Sequence, residues 1–121
     1  MAGNRYCCTM RRSVNRERID VTEIGLNSPK VLGLAVFGTG TSTEFAAYFK
    51  DLTREGLKMA FREPGTGPSD HTAFYNNSIP VLHFFTGAHV DYHKPSDTPD
   101  KIDNEGIFKV ISFVADIAWH F

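Results

Sequence analysis

The sequence predicts an α/β chain in which helices cover a sheet, and three observations lead there. Val31-Leu-Gly-Leu-Ala-Val-Phe37 is a short apolar run of the kind that forms a strand buried on both faces. The segment after it carries apolar residues at helical spacing, and strand-like and helix-like patterns then alternate to the final residues. With 121 residues, 41% apolar and 22% charged side chains and a formal net charge of -1, the composition excludes the disordered and collagenous classes. A chain of this length buries roughly two thirds of its unfolded surface if it folds as one unit.

The first eighteen residues are basic. Arg5, Arg11, Arg12, Arg16 and Arg18 stand against the single acid Glu17, with no apolar stretch of the length a secretory signal needs. This reads as a flexible tail over residues 1–18, ahead of a domain over 19–121; an arm for anionic surfaces is the functional alternative. Nothing in the composition calls for nucleic acid, and no apolar stretch is long enough to span a membrane. Cys7 and Cys8 are adjacent and form neither a loop-closing disulfide with each other nor a C-x-x-C motif.

After Gly38 a helix is expected. Thr41-x-x-Glu44 has capping-box spacing, and Phe45, Phe49 and Leu52 make an apolar stripe that stops before Gly56. The turn Gly38-Thr-Gly40-Thr-Ser-Thr43 lies where a nucleotide loop would lie, but its third glycine is replaced by Thr43 and no lysine follows. A capped strand-to-helix turn is the reading it supports. Leu57, Met59 and Phe61 alternate with Lys58, Ala60 and Arg62, predicting a strand that Pro64, Gly65, Gly67 and Pro68 end.

Ser69 or Asp70 can cap a short helix running to Tyr75, and Asn76-Asn77-Ser78 then turns the chain into a strand over 79–85. A polar loop from Thr86 to Lys101 leads to a last helix with the stripe Ile107, Val110, Ile111, Val114, Ala118 and Phe121.

Chemistry-bearing residues concentrate between Ser69 and Asp100, in Ser69-Asp-His-Thr-Ala-Phe74, Ile79-Pro-Val-Leu82 and the loop Gly87-Ala-His-Val-Asp-Tyr-His-Lys-Pro-Ser-Asp-Thr98. A loop directly after a buried strand is a common place for divalent-metal and hydrolytic chemistry. It is as commonly a solvated connection, and spacing alone does not decide between them. His83 falls inside a strand and reads as a core residue, while His71 and His89 carry no clear assignment and His120 carries no signal.

The runs S-D-H-T-A-F, I-P-V-L and D-Y-H-K-P-S-D-T-P-D-K-I closely resemble the C-terminal signature of the dinuclear-zinc aminopeptidases, metallopeptidase family twenty-eight. The resemblance extends from about Val31 and is dense from Gly65 to Ile107. It implies a three-layer α/β/α sandwich of the zinc-exopeptidase type, a peptide substrate and two zinc ions in the complete site. His93, the histidine of Tyr-His-x-x-x-Asp-Thr, takes the position of the family's last metal ligand. Tyr92 takes that of a phenol donating to the oxyanion, worth about 2.7–4 kcal/mol in the transition state. Asp70 and Asp97 take supporting positions, orienting a ligand or the loop.

The family's His-x-Asp motif, bridging aspartate and Glu-Glu pair have no counterpart in the sequence. Its Asn-x-Asp-Met-x-Gly strand finds only Asp20-Val-Thr-Glu-Ile-Gly25, with Thr22 at the ligand aspartate. A catalytic zinc takes about three protein ligands. The expectation is therefore a C-terminal part of a zinc-dependent aminopeptidase without activity as an isolated chain. A non-catalytic module of the same fold is the alternative. A glutaminyl-cyclase-like acyltransferase is disfavoured by Tyr92, where that group carries tryptophan. Oligomeric state and compartment are left open.

Overall fold

The structure, a computed structural model, describes residues 8–10, 19–21 and 33–121. The expected basic tail lies outside the described residues apart from Cys8–Met10, and so does Thr22. Strands β1 (Cys8–Met10) and β2 (Ile19–Val21) pair antiparallel, with Thr9 opposite Asp20. The main sheet has the order β4-β3-β5, built from β3 (Leu34–Phe37), β4 (Met59–Arg62) and β5 (His83–Phe85). It is mixed: β4 runs parallel to β3 and β5 antiparallel. Beside β5 runs β2.

A parallel pair needs a crossover, and helix α1 (Thr43–Phe49) supplies it between β3 and β4. The helix begins one residue later than the Thr41-x-x-Glu44 spacing predicts. Ser42 is the cap, its hydroxyl accepting from the Phe45 amide at 3.1 Å. Thr41 is drawn elsewhere: its hydroxyl donates to the Gly38 carbonyl at 2.7 Å and accepts from the Val81 amide at 3.0 Å. The long-range bond to Val81 outcompetes the local cap.

Gly38 belongs to the same junction. It has a φ of +87°, and a Cβ there would stand 2.1 Å from the Val81 carbonyl oxygen. Packing therefore accounts for the first glycine of the turn that resembles a nucleotide loop.

Register fixes the two faces of the sheet. Leu34, Val36 and Phe84 point into one core with Phe45 and Phe49 of α1 and with Val110, Phe113, Val114 and Ile117 of α3 (Asn104–His120). Phe37 pairs with His83 and Ala35 with Phe85 on the opposite face, where α2 (His71–Tyr75) brings His71 against His83. The fold is thus α/β.

Two expected elements change. The strand over 79–85 narrows to His83–Phe85, since Ile79 donates instead to the Phe74 carbonyl at 3.1 Å and Pro80 has no amide hydrogen to pair. The stripe of α3 is rotated. Phe113 and Ile117 are buried in it, while Ile111 is 49% exposed. Both stripes share Val110 and Val114, so helical period alone leaves the facing direction undecided; the wider aromatic Phe113 sets it by packing edge-on to Phe84, 6.1 Å away. Asp103 caps this helix, accepting from the Gly106 amide at 2.9 Å.

Candidate functional site

Where β5 ends, the chain enters the polar loop through Gly87, at a φ of +99°. Successive tight turns follow, with the Tyr92 amide donating to His89, the Lys94 amide to Asp91 and the Asp97 amide to Lys94, at 3.0, 2.9 and 3.0 Å. A side-chain clasp closes the loop. The Asp91 carboxylate accepts from the Ser96 hydroxyl at 2.6 Å and from the Lys101 ammonium at 3.0 Å, and Lys101 also donates to the Ser96 carbonyl at 2.7 Å. The Ser96 and Lys101 hydrogen bonds hold the Asp91 carboxyl below its ordinary value. Sequence reasoning missed Asp91, because a clasp across five and ten residues of irregular chain leaves no periodic signal.

His93 sits inside this clasp, exposed, with a φ of +58°. Its ring lies 4.0 Å from the ring of Tyr92 at an interplanar angle of 51°. Tyr92 is half-buried and meets Phe85 and His89 edge-on, with ring centres 6.1 and 5.8 Å away. The phenol ring is therefore held on several sides while the imidazole beside it faces outward.

The two aspartates of the resemblance are placed differently. Asp70 is exposed at the head of α2 and its side chain makes no capping hydrogen bond. The turn before α2 is tied instead by Thr72, whose hydroxyl donates to the Gly67 carbonyl at 2.6 Å and accepts from the Gly67 amide at 2.7 Å. Asp97 is half-buried, and its Oδ1 atom is fully enclosed with no hydrogen-bond partner, as is Nδ1 of His89.

His71 and His83 form a separate cluster. Both rings are buried, at 1% and 6% exposure, and they stack 4.4 Å apart within 9° of parallel. Burial lowers the proton affinity of His71, opposed by the neighbouring Asp70 carboxylate. Burial, with the charge His71 would carry, lowers that of His83 to about 4. The cleft lined by Thr39, Ala46, Phe49, Lys50, Phe61 and Glu63 contains none of these residues.

Among the described residues no group of three or more His, Cys, Asp or Glu side chains is arranged to hold a metal ion. His93 stands at the ligand position of the motif, but a catalytic zinc takes about three protein ligands, so the described residues do not by themselves fit a zinc ion.

The architecture defines an α/β protein whose polar groups gather on the loop that follows β5. Residues 18–118 match the model of peptidase family M28, and the chain belongs to that family. No curated protein and no solved structure matches it. No helix among the described residues is long and apolar enough to cross a membrane.

Proposed function

We propose that the chain is the C-terminal part of a zinc-dependent aminopeptidase domain, a three-layer α/β/α sandwich acting on peptides, and that in isolation it neither retains zinc nor hydrolyses peptide bonds. One observation carries the reading. The histidine at the ligand position, His93, is held in a left-handed backbone conformation on a clasped loop, with the phenol of Tyr92 packed against it. Backbone strain of this kind persists where surrounding contacts over-determine it, and it clusters at working sites. In the complete domain His93 is a metal ligand, Tyr92 donates to the oxyanion, and Asp70 and Asp97 support the loop. The zinc would supply an activated water through ligands beyond those described.

A non-catalytic module of the same fold is the second reading. Thr22, at the position where the family carries a ligand aspartate, favours it.

Zinc titration by calorimetry on the chain and on His93→Ala tests the proposal. Weak binding without defined stoichiometry is expected, together with no release of amino acids from unblocked peptides. Tight stoichiometric binding lost in His93→Ala would overturn the claim that the site is incomplete. The genomic reading frame separates the two readings: in-frame upstream His-x-Asp and Glu-Glu motifs belong to the enzyme, and their absence to the module.

A further inference from the structure

A helix lying on a core is expected to turn polar residues to water, and α3 departs from that rule. Its buried side is Gly106, Val110, Phe113, Val114 and Ile117. On the opposite side stand Phe108 and Trp119, 72% and 88% exposed, with Ile111 and Ala115 also exposed between them. At about 100° per residue these four positions fall within about 80° of one another, and Phe108 and Trp119 lie three turns apart on a line about 16 Å long. A contiguous apolar stripe on an outer face marks a contact surface.

The stripe is self-complementary. When two α3 helices are set antiparallel, with the two-fold axis crossing between Ile111 and Ala115, Phe108 of each copy opposes Trp119 of the other, and Ile111 opposes Ala115. A large side chain then meets a small one at the centre, which lets the axes approach, and aromatic rings meet at both ends. Antiparallel pairing also brings the same flank of the two helices together. On that flank stand Lys109 and Asp116, nearly two full turns apart, so Lys109 of each copy faces Asp116 of the other with opposite charge. Within the chain Lys109 bonds to Glu105 and Asp116 to Arg54, but both side chains stay well exposed and have room for a second partner.

The size of the patch is sufficient. The stripe and its flank cover about 500 Å² per copy, about 1,000 Å² in the pair, which reaches the lower limit of a specific interface and suits a micromolar dimer. A lipid surface fits less well. α3 has one lysine and no arginine against the acids Glu105 and Asp116, whereas helices that lie on membranes carry a polar face rich in cations.

We propose that the outer face of α3 is a homodimer interface, in which a second copy of this chain packs antiparallel through Phe108, Ile111, Ala115 and Trp119 and is oriented by two Lys109–Asp116 ion pairs. The inference is independent of the peptidase reading, since it uses neither the loop after β5 nor a metal.

Trp119 is the only tryptophan of the chain, so its fluorescence reports the interface directly. Sedimentation of the whole chain from about 1 to 300 µM should show a reversible monomer–dimer equilibrium, with Trp119 emission moving to shorter wavelength over the same range. Trp119→Glu should weaken the dimer by about 30-fold or more while leaving the circular dichroism of the monomer unchanged. Should that variant not fold, Phe108→Glu at the other end of the stripe makes the same test. Lys109→Glu should weaken the dimer several-fold, and adding Asp116→Lys should restore it. A chain that stays monomeric across the range overturns the proposal. It does so whether Trp119 emission is that of water throughout, is shifted at every concentration because another part of the chain covers the face, or shifts only when anionic phospholipid vesicles are added. A dimer that forms equally well in Trp119→Glu and Phe108→Glu overturns it too, and one that the double charge reversal leaves weakened overturns the antiparallel orientation.

Discussion

His93 carries a φ of +58°, a conformation in which a Cβ crowds the following carbonyl by roughly 1–2 kcal/mol. Glycine relieves that crowding and loses about 0.5–1 kcal/mol in chain entropy. His93→Gly should therefore leave stability unchanged or raise it by up to about 1 kcal/mol in urea unfolding. His93→Val should lower it, because a β-branched side chain fits this region worst. A clear loss in the glycine variant would show that the imidazole holds the loop together rather than being held by it. The same measurement bears on function, since backbone strain clusters at working sites.

At the scale of elements, α3 tests how packing chooses among helical faces. Phe113→Ala should lower stability by about 3–5 kcal/mol, and Ile111→Ala by less than about 1 kcal/mol. Comparable losses would return the helix to the orientation that its sequence stripe predicts. That stripe is legible in part: Val110 and Val114 belong to both orientations, and the burial of Phe113, against Phe84, and of Ile117 separates them. The capping of α1 teaches the same lesson. Ser42 and Thr41 are chemically similar candidates one residue apart, and the Val81 amide, forty residues away, claims the threonine. The loop after β5 behaves likewise. His93 and Tyr92 are recognisable from their local motif, whereas the Asp91 clasp depends on where the chain returns.

For the whole molecule, the described core is apolar side chains from α1, α3 and the sheet, with no group of metal donors among the described residues. On that apolar core the described part of the fold is expected to stand without metal. Thermal unfolding in excess chelator is expected to leave the midpoint unchanged, whereas a zinc-dependent fold loses its stability with its ion. A fall of several degrees would place a structural metal in the chain.

The sequence by itself determined the α/β class, the order of the strands and α-helices from β3 onward and the family, because apolar periodicity and short motifs are local properties of the chain. It also marked His93 and Tyr92 through the residues adjoining them. Tertiary structure alone decided that β5 runs antiparallel to β3, that α3 turns Phe113 inward, that Asp91 closes the loop and that His71 lies stacked on His83 with both nitrogens enclosed. Each of these depends on groups distant in sequence meeting in space, and the free energy of such a meeting is written in neither partner's neighbours.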